Sequence, residues 1–217
     1  MILVYGDSIT YGAWDVEAGG WVSRLRMILD RLPDPPLIYN LGVSGESTDE
    51  LVERFEHESA FRIDADEDPP SRPIILFQTG ANDAQYLLNS GTVRTPLNKF
   101  KTNITTLIDR AITLTLPSKV AFLSLLRVDD ARVNPLPWAT HLSHRNIFTD
   151  QYNDALKEAC KLKTVGWIDV RAAFKTYEAS HGESLLADGL HPNTEGHQLI
   201  FATVLDFLES NKLVEKT

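Results

Sequence analysis

The chain contains 217 residues, of which 43% are hydrophobic and 24% are charged, a balance that supports one folded domain spanning residues 1–217. This composition excludes a disordered chain, and the single cysteine excludes a disulfide scaffold. The 30 acidic residues outnumber the 21 basic ones and give a net charge of −9. That charge disfavours a nucleic-acid partner, because phosphate backbones are bound by Lys and Arg.

The opening segment and the lengths of the apolar runs bear on localisation. The first run, 1–6, is too short for a signal-peptide core and lacks a basic leader. No apolar run approaches the roughly 20 residues that a membrane-spanning helix needs. We therefore expect a cytoplasmic protein without a membrane span, unless a leader was trimmed. Cys160 lies in a helical pattern, and we expect it to be a small buried hydrophobe.

Short apolar runs bounded by Gly, Pro or charged residues are the candidate strands. They occupy residues 2–5, 37–41, 74–78, 120–126 and 165–170. Their apolarity is nearly continuous, which is typical of strands that are covered on both faces.

Stretches with a helical spacing of apolar residues separate and follow these runs. They lie at 21–32, 51–61, 97–111, 148–159 and 199–208. Ser47 and Glu50 form a capping-box pattern at the start of the second stretch. The alternation predicts a three-layer α/β/α sandwich, with a five-stranded parallel sheet and helices on both faces. Ligands of such sheets bind beyond the carboxyl ends of the strands.

Two separated signals at that edge suggest nucleophilic catalysis. Ser8 directly follows the first predicted strand, where it is either a nucleophile or the N-cap of the next helix. Far along the chain, Asp188 and His191 stand three apart in a turn flanked by Gly and Pro. This spacing lets a carboxylate orient an imidazole as a base, although surface turns share the pattern.

Two more loops at the same edge carry candidate oxyanion donors. Gly42 follows the second predicted strand, and Asn82 follows the third. A glycine lets a backbone N–H approach a ligand, and an asparagine amide can donate to an oxyanion. Taken singly, Gly42 is equally a tight turn and Asn82 an Asx turn. The coincidence of all these signals at one edge favours a catalytic site.

The ordered motifs resemble those of the SGNH (GDSL) hydrolase family. The matching segments are 6–10, Gly42, 80–83 and 188–193. The resemblance covers nearly the whole domain and implies a flavodoxin-like sandwich that works without a metal or cofactor. It implies Ser8 as nucleophile, His191 as general base and acid, and Asp188 as the partner that orients His191. It also implies an oxyanion hole formed by Ser8, Gly42 and Asn82.

The remaining residues of the motifs, and the loops around them, have other expected roles. Asp7 and Asp83 are expected to brace the loops that carry the site. The segment 128–146 is long for an α/β connection, and it either covers part of the substrate pocket or packs as a surface loop. The candidate substrate-binding residues are Trp14, Tyr86 and Trp138.

The sequence offers no convincing metal site. His141 and His144 are three apart but lack further ligands of the kind that zinc requires. The acidic run 64–68 lacks the central glycine and the closing glutamate of a calcium loop, so a solvated loop is expected. His197 lies on the last predicted helix, where we expect a surface position.

The leading hypothesis is a serine esterase that hydrolyses small or medium acyl esters through an acyl-enzyme on Ser8. Activity should then fall at acid pH as His191 becomes protonated. Within the family, an acyl thioesterase, a lysophospholipase and a carbohydrate O-deacetylase remain open. A non-enzymatic alternative is a flavodoxin-like ligand-binding module, although the loop after the first strand lacks a glycine-rich phosphate motif. The expected partner is a small-molecule ester; the sequence leaves the oligomeric state open.

Overall fold

The strands form one large sheet and one small sheet in the computed structural model, which describes residues 1–63 and 72–216. In chain order they are β1 (Ile2–Gly6), β2 (Ile38–Gly42), β3 (Ile74–Gln78), β4 (Tyr86–Leu87), β5 (Thr92–Val93), β6 (Val120–Leu123), β7 (Leu142–Ser143) and β8 (Gly166–Ile168). Among these residues, five strands make a parallel sheet in the order β2-β1-β3-β6-β8. This is the flavodoxin-like order, as predicted. The acidic run 64–68 lies outside the described residues.

The helices connect the strands and cover both faces of the large sheet. They are α1 (Ser8–Tyr11), α2 (Trp21–Leu29), α3 (Thr48–Ala60), α4 (Leu97–Leu114), α5 (Asp130–Val133), α6 (Asn146–Lys163), α7 (Val170–His181) and α8 (Thr194–Ser210). The predicted capping box is present at α3, where the Ser47 N–H donates to the Glu50 carboxylate at 2.9 Å. In the described residues, no helix combines the length and apolarity needed to span a membrane.

The alternation of side chains along β1 divides the core into two halves. Ile2 and Val4 point to one face and pack with apolar residues of α2, α7 and α8. Leu3 and Tyr5 point to the other face and pack with apolar residues of α3, α4 and α6. All four side chains are fully buried, because the strand is central and each face is covered by helices. The predicted three-layer α/β/α sandwich is confirmed.

The structure differs from the sequence-based prediction in the second half of the chain. β6 ends at Leu123 and β8 at Ile168, so both strands are shorter than the apolar runs that contain them. α7 was not predicted, since only Val170 and Phe174 in it are buried and its apolar stripe is therefore short. The antiparallel β5-β4-β7 sheet was also missed, because each of its strands has only two residues.

Candidate active site

Ser8 lies immediately beyond the carboxyl end of β1, an interior strand of the large sheet. The N-cap of α1 is Asp7, whose side chain accepts the Ile9 N–H at 3.0 Å, so capping does not engage Ser8. The Ser8 hydroxyl is instead 2.9 Å from Nε2 of His191. The structure therefore favours the nucleophile interpretation of Ser8 over the cap.

The turn before α8 brings Asp188 onto the other nitrogen of the same imidazole. Asp188 Oδ2 lies 2.8 Å from His191 Nδ1, while Oδ1 accepts the backbone N–H groups of Leu190 at 2.9 Å and His191 at 2.8 Å. Burial raises the pKa of Asp188, but these hydrogen bonds outweigh it and hold the pKa well below its usual range. An ionised Asp188 that accepts the Nδ1–H leaves Nε2 free to accept the Ser8 proton.

Two tryptophans predicted to bind substrate flank this imidazole. The ring centroids of Trp14 and Trp138 lie 6.5 Å and 6.3 Å from that of His191, and both side chains are exposed. The indole N–H of Trp14 also donates to Asp188 Oδ2 at 2.7 Å, a contact that the sequence did not reveal. Tyr86 stacks on Phe148 and has the Arg145 guanidinium 4.4 Å from its ring centroid, and its role in substrate binding stays a prediction.

The amide of Asn82 faces the loop that follows β2. Asn82 Nδ2 donates to the Glu46 carbonyl at 2.9 Å, which engages one of its two N–H groups. Arg94 holds the same loop by donating to the Gly45 carbonyl at 2.7 Å. Neither the Ser8 N–H nor the Gly45 N–H has a protein acceptor among the described residues. Three unengaged N–H donors thus belong to the loops around Ser8.

The predicted oxyanion donor Gly42 is engaged elsewhere. Its N–H donates to Asn40 Oδ1 at 3.0 Å. A Cβ at Gly42 would lie 2.4 Å from the Tyr11 nitrogen, so the glycine is needed for the close approach of β2 to α1. The prediction that Gly42 supplies an oxyanion donor is therefore not supported. Gly45 has a φ of +80°, and nothing lies within 4 Å of the position of its Cβ.

The expected bracing roles of the two aspartates agree with their contacts. Asp83 is fully buried and accepts the Thr48 hydroxyl at 2.5 Å and the Thr48 N–H at 3.0 Å. These bonds tie the loop after β3 to the first residue of α3. Asp7 is buried beneath α1, and burial raises its pKa to about 6. Asp7 also lines a small internal cavity that His144 lines as well.

The segment 128–146 packs against the turn that carries Asp188. The Asp129 N–H donates to the Gly189 carbonyl at 2.8 Å, and Arg132 donates to the Ala187 carbonyl at 2.7 Å. The segment also carries Trp138 to its position beside His191. It therefore lies against the turn that carries Asp188 and His191, and its covering of a substrate pocket stays a prediction.

The two histidines of this segment do not converge. His144 is buried with Nε2 3.2 Å from the Gln85 amide, and burial lowers its pKa to about 4, so it is neutral at pH 7. His141 is exposed. In the part of the chain that the structure describes, no three metal-ligating side chains cluster.

The expected surface position of His197 is wrong. His197 is fully buried, and its Nε2 bonds the Ala13 carbonyl at 2.9 Å. Burial lowers its pKa, which keeps the imidazole neutral. The helical pattern placed His197 on α8 but could not show that a loop carbonyl would cover it. Cys160 is buried as expected, and burial raises its pKa to about 12.

The fold and the polar groups at its carboxyl edge are those of a carboxylic ester hydrolase. The model of the GDSL-like lipase/acylhydrolase family matches residues 4–199, so the chain belongs to this family. Membership in an enzyme family removes the non-enzymatic alternative of a ligand-binding module. A comparison with curated proteins found no match.

Several solved structures share the fold over nearly the whole chain. LAE5, an alpha/beta hydrolase enzyme from the metagenome of Lake Arreo, Spain, is 21% identical with a TM-score of 0.71, over 99% of this chain and 96% of its own. Axe2, an acetylxylan esterase from Geobacillus stearothermophilus, is 19% identical with a TM-score of 0.68, over 95% and 93%. A lipolytic G-D-S-L family protein from Veillonella parvula DSM 2008 is 19% identical with a TM-score of 0.69, over 94% and 96%. At these identities the likeness shows the fold.

Proposed function

We propose that this ester hydrolase is a serine esterase that acts on small or medium acyl esters through an acyl-enzyme on Ser8. The observation that carries the proposal is the continuous chain of contacts from Ser8 through His191 to Asp188, with distances of 2.9 Å and 2.8 Å. The family model supports the same class of reaction. Two variants of Axe2, with a serine or a histidine replaced, are described as catalytic mutants, which is consistent with such a pair.

The reaction would proceed in two acyl-transfer steps. Ser8 Oγ attacks the acyl carbonyl while His191 Nε2 takes the hydroxyl proton, and the carbonyl π electrons move to oxygen. The tetrahedral intermediate collapses, the bond to the alkoxy oxygen breaks, and His191 returns the proton to the leaving alcohol. Water then attacks the acyl-enzyme with His191 again as base, which releases the acid and regenerates Ser8. Asp188 keeps its charge throughout and stabilises the imidazolium.

The oxyanion of both intermediates needs donors that no protein acceptor already occupies. We propose the Ser8 N–H, the second N–H of Asn82 and, in place of Gly42, the Gly45 N–H. Gly45 shares its loop with Glu46, the carbonyl partner of Asn82, which brings the two proposed donors into one neighbourhood. Each such donor commonly contributes about 2.7–4 kcal/mol to transition-state stabilisation.

A carbohydrate O-deacetylase is the second candidate function. Exposed Trp14 and Trp138 both stand beside His191, and aromatic faces of this kind suit sugar rings. Beyond Trp14 lies an open groove of about 560 Å³ with polar side chains including Arg24, Asn193 and Gln198. The acetylxylan esterase activity in the name of Axe2 points in the same direction. An acyl thioesterase or lysophospholipase would use the same Ser8 chemistry, but no observation favours either.

The test combines substrate turnover with covalent labelling of the serine. Hydrolysis of p-nitrophenyl esters from acetyl to palmitoyl, and of an acetylated xylose, would be measured for the wild type and for Ser8→Ala. The exposed Ser44 on the β2 loop gives a matched control, Ser44→Ala. We expect Ser8→Ala alone to abolish turnover and labelling by a fluorophosphonate. Retained activity in Ser8→Ala would refute the mechanism; labelling of Ser8 without turnover of any ester would refute the substrate class only.

A further inference from the structure

We propose that Trp14 is a positioning residue that fixes the Asp188–His191 pair, an inference that rests on the proposed function of that pair. The Trp14 indole N–H donates to Asp188 Oδ2 at 2.7 Å and lies 3.2 Å from His191 Nδ1. The indole therefore sits at the junction of the carboxylate and the imidazole, and it reaches this junction from the opposite end of the chain.

Trp14 completes the set of hydrogen bonds that the Asp188 carboxylate accepts. A carboxylate offers about four lone-pair sites. Backbone N–H groups of Leu190 and His191 occupy those of Oδ1, and the His191 imidazole occupies one of Oδ2. Trp14 takes the remaining site. With Trp14 in place, any rotation of the carboxylate away from the imidazole breaks several hydrogen bonds at once.

The indole also suits this position electrostatically. Its N–H is a neutral donor, so it stabilises the Asp188 anion without adding a formal positive charge that would compete with the imidazolium of His191. The ring lies edge-on to the imidazole, at an interplanar angle of 66°, and covers one side of the pair. Trp14 is 56% exposed, so its outer face is free for substrate while its N–H is held inside.

The backbone at Trp14 has a left-handed conformation, which contacts of the two neighbouring residues hold in place. Trp14 has a φ of +68°, which is unusual for a bulky residue and costs of order 1–3 kcal/mol. Buried His197 holds the carbonyl of the preceding Ala13 at 2.9 Å. The Asp15 carboxylate that follows is buried and accepts Arg24 at 2.9 Å and 3.0 Å. The strained residue is thus clamped on both sides, as expected where strain serves a function.

Trp138 provides a matched control for Trp14. Both are exposed tryptophans at similar distances from His191, but of these two only Trp14 donates to Asp188. Trp14→Phe and Trp138→Phe each keep an aromatic ring and remove the indole N–H. We expect Trp14→Phe to lower kcat on p-nitrophenyl acetate about tenfold with KM changed less than about twofold, whereas any effect of Trp138→Phe should fall on KM, because Trp138 makes no hydrogen bond to Asp188.

A second measurement detects the hydrogen bond without relying on activity. The indole N–H resonances of Trp14 and Trp138 can be assigned by triple-resonance NMR of the wild-type protein, and their exchange with deuterium oxide compared in the same sample. We expect the Trp14 proton to exchange more slowly than the Trp138 proton despite similar exposure. In Asp188→Ala the Trp14 proton should exchange at least as fast as that of Trp138.

The outcomes separate this proposal from the proposed function. A loss confined to KM in Trp14→Phe would make Trp14 a substrate platform only and overturn the positioning role. Fast exchange of the Trp14 proton in the wild type would overturn it independently, even if Trp14→Phe failed to fold. Activity retained in Ser8→Ala would instead refute the serine mechanism, while the exchange measurement would still decide whether Trp14 holds Asp188.

Discussion

Replacing Asp7 by asparagine should change how the stability of the protein depends on pH. Asp7 is 2% exposed, and burial raises its pKa from 3.8 to about 6. Between about pH 4 and 6 the folded protein therefore holds a proton that the unfolded chain has released. The contribution of protonated Asp7 to the free energy of unfolding is therefore fully present below about pH 4 and is lost as pH rises through about 6.

The magnitude follows from the displacement of the pKa. A rise from 3.8 to about 6 corresponds to about 3 kcal/mol at about 1.4 kcal/mol per pH unit. Asparagine keeps an oxygen that can accept the Ile9 N–H as the N-cap of α1, but it carries no charge at any pH. The free energy of unfolding of Asp7→Asn, relative to wild type, should thus increase by about 2 kcal/mol between about pH 4.5 and 7.5.

The assay must compare variants, because a second buried group has the opposite effect. Burial lowers the pKa of His144 to about 4, so its contribution to stability is present above its ordinary value of 6.5 and is lost as pH falls towards 4. The wild-type profile sums these two slopes with those of the other groups whose pKa shifts on folding, among them Asp188 and His197. Urea denaturation of wild type, Asp7→Asn and the exposed control Asp34→Asn at several pH values isolates the contribution of Asp7 to the pH dependence of stability. A difference between wild type and Asp7→Asn that does not vary with pH would refute a raised pKa of Asp7.

Other perturbations test the site and its scaffold. Asn82→Ala should lower kcat about 100-fold or more at nearly unchanged KM, measured by steady-state kinetics, because an oxyanion donor acts mainly in the transition state; an equal rise in KM would contradict this role. Gly42→Ala should destabilise the fold by about 2–3 kcal/mol in urea denaturation, because its Cβ would meet a backbone nitrogen of α1 at 2.4 Å; unchanged stability would show that the contact yields easily. His197→Phe should free the Ala13 carbonyl, which precedes Trp14, and lower kcat severalfold. Its effect should not add to that of Trp14→Phe in the double variant, because both changes act through Trp14; additive effects would mean that the two residues act separately.

The central part of the fold could be predicted from the sequence because its signals are local. The apolar runs that became β1 and β3 are fully covered strands, and parallel strands place Ser8 and Asn82 at one edge without further information. The pairing of Asp188 with His191 was predictable for the same reason, since a turn of four residues contains both.

The remaining features depend on contacts that no local pattern records. Gly42 ends β2 and Gly45 lies in the loop that follows, and only the bond from Gly42 to Asn40 shows which N–H is engaged. Trp14 reaches Asp188 through a left-handed backbone conformation that is uncommon for tryptophan. The burial of His197 required knowledge of the loop that covers it.

The contact between Ser8 and His191 joins residues 183 positions apart. During synthesis, Ser8 leaves the ribosome 183 residues before His191, the base that we propose activates it. If the proposed mechanism holds, a nascent chain that has folded only β1 to β6 carries Ser8 without its base. Ester turnover would then report that the chain has folded as far as His191, and a translation-arrest series monitored by fluorophosphonate labelling would show at which chain length the serine becomes reactive.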